Sequence, residues 1–384
     1  MEPESPRRAL ECLLGIPSFH GNQVNVLRNG DQTFPAMLEV IGTATRTIDV
    51  QTYGYWSGST GDEVARALAG RAQDGVRVRV LLDAFGTRRI DRRSIGIMEA
   101  AGAEVVWFRP LTNWRITQST HRGHRKILIC DGSIAFTGGF GFADEWRGDA
   151  RDRSQWRDTA LQLRGPVVNG LRGAFVNNWA ETGRLLFAED VDPFPLQKAA
   201  GQSAAQVVQG DAETGWGDMS TLVRGLLGLA RRRLRISADY LVPDAGALEL
   251  LCAAARRGVT VEVLRPAAQP QGGLSRLASR ANYQRLLEAG VSVWEYQPTA
   301  LNAKVMTVDG VVANVGPVDF DAGSLTLNDE VTVVVFDPSV VAELDGQFDA
   351  DLGRSEPIGL DRWAGRGTGE RVKEAAAGFF ARRV

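Results

Sequence analysis

The sequence predicts an α/β fold written twice, and three observations carry that prediction: strands alternate with helices, both halves repeat one order of elements, and matching turn words close matching elements. In the first copy, residues 37–41 have helical periodicity and residues 47–53 alternate as a strand. A helix over 62–73 follows, then the turn Asp74-Gly75 and a strand over 76–83. The second copy reads helix over 222–230, strand over 234–238, helix over 247–257 and strand over 258–264. Each copy then has a third helix ending in similar words, Met98-Glu99-Ala100-Ala101-Gly102 and Leu287-Glu288-Ala289-Gly290. A short apolar strand comes next in each, over 104–108 and 291–296. The polar, Gly- and Gln-rich stretch 197–216 is the expected linker, so the lobes are expected at 1–196 and 197–384.

Bulk properties narrow the function. The chain has 384 residues, 44% hydrophobic and 23% charged, enough to bury a full core. A net charge of −2 offers no global positive field, so a nucleic-acid partner is not expected. The 3 cysteines, Cys12, Cys130 and Cys252, are scattered without metal or disulfide spacing. No cofactor or metal is expected, and a reducing cytoplasm fits best. No apolar run reaches the roughly 20 residues of a spanning helix. Oligomeric state is left open.

After each apolar strand comes a polar segment and then a motif. The first is His124-Arg125-Lys126-Ile127-Leu128-Ile129-Cys130-Asp131-Gly132, with Gly138-Gly139 downstream. Strand alternation puts His124, Lys126 and Leu128 on one face and Asp131 at the end. A neutral imidazole can attack phosphorus while an ammonium beside it neutralises charge growing on the non-bridging oxygens. Taken alone, an H-x-K pair is more often a hydrogen-bonded structural histidine beside a solvated lysine.

In its wider setting the motif resembles the phospholipase D superfamily. His124, Lys126 and Asp131 match that family's H-x-K-x-x-x-x-D pattern, and Gly138-Gly139 falls where it has a Gly-Gly or Gly-Ser pair. Gly75 to Asp83, Asp144-Glu145-Trp146, Trp156-Arg157-Asp158-Thr159, Tyr240-Leu241-Val242-Pro243-Asp244 and Ser324-Leu325-Thr326-Leu327-Asn328 look like the bacterial cardiolipin synthase branch. The resemblance implies two pseudo-symmetric α/β/α lobes, each a mixed, mostly parallel sheet flanked by helices, with the active site at the seam. It implies that His124 is a nucleophile forming a phosphohistidine and that Lys126 and Lys304 grip the phosphoryl oxygens. It further implies that Glu330 orients His124 across the seam while Asp158 faces position 302.

The second motif departs from the pattern. It reads Asn302-Ala303-Lys304-Val305-Met306-Thr307-Val308-Asp309, with asparagine where the second histidine belongs, and Gly316-Pro317-Val318-Asp319 replaces a Gly-Ser-x-Asn word. An amide neither takes up nor releases a proton near neutral pH. Three readings follow: a phosphodiesterase or phosphatidyltransferase similar to cardiolipin synthase, a pseudoenzyme that binds phospholipid or phosphate, or a phosphotransferase on a soluble phosphoester. His121 reads either as a surface residue or as a substitute acid. Ser119, Thr120, Arg122 and Arg125 read as a positive rim or as solvated loop charge, and Trp114-Arg115 and Trp146-Arg147 as headgroup contacts or partial core. The segment with Arg371, Val372, Lys373, Ala376, Phe379, Phe380, Arg382 and Arg383 is a basic amphipathic tail that either lies on a membrane surface or packs on the body.

Overall fold

The computed structural model describes residues 4–110, 121–184, 192, 194–211, 217–267, 273–321, 328–367, 373 and 377. Residues 114–115, 119–120, 324–327 and the tail apart from Lys373 and Ala377, all singled out by sequence, lie outside the described residues. The first half contributes β1 (Phe19–Arg28), β2 (Thr47–Thr52), β3 (Arg77–Asp83), β4 (Glu104–Phe108), β5 (Ile127–Cys130), β6 (Ile134–Gly138) and β7 (Thr159–Arg164). The second contributes β8 (Ser203–Gly210), β9 (Arg233–Ser237), β10 (Leu241–Val242), β11 (Thr260–Pro266), β12 (Ser292–Tyr296), β13 (Val305–Val308), β14 (Val312–Val315), β15 (Phe320–Asp321), β16 (Glu330–Phe336) and β17 (Ser355–Pro357).

One sheet of 15 strands runs through both halves in the order β17-β12-β11-β9-β13-β14-β16-β8-β1-β7-β6-β5-β2-β3-β4. Read outward from its centre, the first half runs β1-β7-β6-β5-β2-β3-β4 and the second β8-β16-β14-β13-β9-β11-β12, which is the same order twice. The halves meet where β1 pairs antiparallel with β8. The repeated turn words have a shared cause: Gly75 and Gly258 take φ of 85° and 89°, and Gly102 and Gly290 take 94° and 90°, where a Cβ would be strained.

Two expectations are corrected. Within the 15-stranded sheet of the described residues, parallel pairing is confined to β2–β3–β4 and β9–β11–β12, while the strands toward the centre pair antiparallel; β10 and β15 form a separate parallel pair. Each half is therefore mixed without being mostly parallel, because the motif strands β5 and β13 return by tight turns instead of helical crossovers. The expected linker also contains β8, which pairs with β1 and β16 at the centre of the sheet. Its polar residues resemble a linker, but inside the fold their donors find partners: Gln206 Nε2 donates to Ile16 O, and Ser203 Oγ to Asp337.

Alternation along β5 sends Leu128 and Cys130 into the core that contains Phe34, Met37 and Val80, and Ile127 and Ile129 into the one that contains Phe175 and Trp179. The latter core also takes Val315, Val331 and Val333 from the second half, so it crosses the boundary between copies. The helix Glu4–Leu14 inserts Leu10 among Leu222, Leu226 and Leu227, which belong to the second half. The helix Pro338–Leu352 answers in the other direction, its Asp351 accepting from Arg28 and Arg157.

Candidate active site

Both motifs lie at the seam, each held by the opposite half through the same backbone bond. His124 N–H donates to Asp329 O at 2.9 Å, and Asn302 N–H donates to Arg157 O at 2.7 Å. The chain immediately after each acceptor supplies the carboxylate that meets the side chain: Glu330 Oε1 lies 2.9 Å from His124 Nδ1, and Asp158 Oδ2 accepts from Asn302 Nδ2 at 2.7 Å. His124, Lys126, Asn302, Lys304, Asp158 and Glu330 are thus drawn together from distant parts of the sequence.

At the first half-site a fully buried carboxylate takes Nδ1–H, which leaves Nε2 as the acceptor of a 2.9 Å hydrogen bond from Lys126 Nζ. Burial, reinforced by the Lys126 ammonium, holds the His124 pKa well below the ordinary imidazole value, so the ring is neutral at physiological pH. Tyr53 meets the imidazole edge-on with centroids 4.9 Å apart, and burial raises its phenol to about 12. Burial is the main cause that lowers Lys126 to about 8; the Lys304 charge acts in the same direction, and Glu330 opposes both.

At the second half-site every polar group of the Asn302 side chain is engaged. Its Nδ2 donates to Gly139 O and Asp158, both at 2.7 Å, and its Oδ1 accepts from Lys304 Nζ at 2.9 Å. Asp158 also accepts from Trp146 Nε1 at 2.8 Å and Thr159 N at 2.7 Å; burial nevertheless raises its pKa. Burial works against the Lys304 ammonium, but Asp319, Asp239 and Asp158 together outweigh it and its pKa is raised. Asp319 Oδ1 lies 3.3 Å from Lys304 Nζ.

Asp131 and Asp309 do not join this cluster. Asp131 accepts from the backbone N–H groups of Thr45, Arg46 and Thr47, and Asp309 from those of Arg231, Arg232 and Arg233. Each fastens the chain entering a neighbouring strand at the far end of the motif, which is a structural clamp duplicated in the two halves. The positive rim is corrected as well. Arg125 is fully buried and donates to Ala174 O, Asn178, Glu330 O, Gly210 O and Asp211, while Arg122 pairs with Asp83 at 2.9 Å. Arg125 lies just before β5, between His124 and Lys126, and its side chain turns away from theirs to Ala174 and Asn178. Trp146 is core, as the plainer reading had it, and also braces Asp158; no spacing in the sequence announces that bond.

Among the described residues no group of histidine, cysteine and carboxylate side chains is arranged to hold a metal ion. None of the described helices is long and apolar enough to cross a membrane.

The model of the family described as "Cardiolipin synthase, PLD-like domain" matches residues 37–146 and 223–352, which contain both motifs. Cardiolipin synthase 1 of Bacillus anthracis is 31% identical over 369 residues, spanning 94% of this chain and 72% of the relative. Cardiolipin synthase of Geobacillus thermodenitrificans is 33% identical over 364 residues, with the same coverage of 94% and 72%. In fold, the chain resembles phosphatidylserine synthase of Haemophilus influenzae with a TM-score of 0.72 at 12% identity, covering 99% of this chain and 100% of that one. Matched across both repeated halves, the chain belongs to the cardiolipin synthase family of phospholipase D-like proteins.

Proposed function

We propose that this protein is a phosphatidyltransferase or phosphodiesterase acting on phospholipids through a phosphohistidine on His124. The observation that carries the reading is the arrangement of that imidazole: Nδ1 is fixed by Glu330, and Nε2 turns toward Lys126 with Lys304 in range. The names of its relatives support a lipid substrate. A phosphoryl oxygen is a stronger partner for the Lys126 ammonium than a neutral imidazole is, so bound substrate frees the Nε2 lone pair. Nε2 then attacks phosphorus, the P–O bond to the leaving alcohol breaks, and that oxygen takes a proton. In the second step the acceptor alcohol or water gives up a proton, attacks phosphorus and breaks the P–N bond, which regenerates the neutral ring. Glu330 stabilises the imidazolium formed in between.

In this reading the lobes run 1–196 and 197–384, with Glu4–Leu14 leaning on the second, and peripheral contact with a membrane brings the lipid to the seam. Incubation with phosphatidylglycerol vesicles, and separately with a chromogenic phosphodiester, tests the reading. Turnover that disappears in His124→Ala is the expected result. Turnover unaffected by that change would refute it.

A further inference from the structure

We propose that Asp319 carries the proton transfer that the second half-site lost with its histidine, acting as general acid toward the leaving alcohol and as general base toward the acceptor. The inference rests on His124 being the nucleophile and deepens that reading by supplying its partner.

The geometry is specific to one side of the seam. Lys304 Nζ touches Asn302 Oδ1 at 2.9 Å and Asp319 Oδ1 at 3.3 Å, so one ammonium separates the carboxylate from the place the imidazole would occupy. Asp319 is 6% exposed and reaches the Lys304 ammonium from the turn Gly316-Pro317-Val318 between β14 and β15. The corresponding residue of the first half, three positions after Gly138, is Gly141, which has no side chain. Beyond the paired Glu330 and Asp158, this position thus adds a carboxylate to the half-site that lacks an imidazole and none to the other. Lys304, Lys126 and His124 all feel its charge, Asp239 acts on the same Lys304, and Tyr240 N–H donates to its Oδ1 at 3.4 Å. Asn302 cannot serve instead, because its amide is committed and carries no labile proton.

The steps balance. Asp319 enters the first step as the carboxylic acid, with a proton taken from solvent or left by the preceding turnover. As Nε2 attacks, the carboxyl proton passes to the departing oxygen and leaves a carboxylate. The acceptor hydroxyl returns a proton to that carboxylate as its oxygen attacks phosphorus.

The test compares first-turnover rates of two phosphodiesters, one releasing nitrophenol, which departs without protonation, and one releasing a simple alkanol, which does not. Asp319→Asn is expected to slow alkanol release by about 10²- to 10⁴-fold. Its effect on nitrophenol release is expected to be at least tenfold smaller, with Asp319→Glu recovering part of the alkanol rate. Equal losses on both diesters would mean that Asp319 only holds Lys304 in place, and an unchanged alkanol rate would equally overturn the proposal. If the unaltered protein released neither alcohol, the phosphohistidine reading itself would fall, and this inference with it.

Discussion

At the first half-site the side chain is an imidazole held by Glu330 at 2.9 Å, and at the second it is an amide held by Asp158 at 2.7 Å; in each, a lysine two residues on reaches back to that side chain. Backbone bonds, carboxylates and lysines have kept their places while the chemistry at one position has changed. The frame survives that loss because it does not depend on titration: an asparagine meets the hydrogen-bonding demands of Asp158, Gly139 and Lys304 as a fixed donor and acceptor. The second half-site is thus a hydrogen-bonded amide network beside one built around an imidazole.

If the two halves have divided in this way, equivalent substitutions must have unequal effects. The largest difference is expected between Glu330→Gln and Asp158→Asn. Removing the Glu330 charge withdraws the partner that fixes the His124 tautomer, and turnover should fall by about 10²- to 10⁴-fold. Asp158→Asn should instead act on folding, costing on the order of 1–3 kcal/mol as measured by denaturant unfolding, because it disturbs donors from Trp146, Asn302 and Thr159. Equal kinetic losses would break the comparison.

Next in size is the effect of Lys126. Lys126→Met should lower turnover by about 10²- to 10³-fold, the scale for removing one transition-state charge partner. The pH profile sharpens this point. Because Lys126 is depressed to about 8, its ammonium is present below that pH and lost above it, so activity should decline as pH rises through about 8. Lys304 is raised and should keep its charge across the same range. A profile flat to beyond pH 9, about one unit past that midpoint, would contradict the assignment.

The smallest kinetic effect is expected at the strand ends. Asp131→Ala and Asp309→Ala each strip acceptors from three backbone N–H groups and should lower unfolding stability by roughly 1–3 kcal/mol while leaving kcat within about twofold. A large kcat loss in well-folded Asp131→Ala would bring that carboxylate into the chemistry.

What sequence could and could not reveal follows the same division. Periodicity and turn glycines make the doubled elements legible because those signals are local, whereas the H-x-K spacing singles out His124 and Lys126 only together with the family words around it. The central strand β8 is hidden in the sequence because Ser203 and Gln206 look like linker residues, and the groups that accept from them, Asp337 and Ile16 O, lie 134 and 190 residues away. The burial of Arg125 is not legible locally because its acceptors lie 49 to 205 residues away along the chain. The place of Asp319 beside Lys304 is a relation that its own word, Gly316-Pro317-Val318-Asp319, records only as an oddity.

A double displacement at one imidazole inverts phosphorus twice, whereas direct attack by the acceptor inverts it once. The stereochemical course with a phosphorothioate diester chiral at phosphorus therefore reads the central claim directly. Retention of configuration is the predicted result, and inversion would contradict the covalent role given to His124.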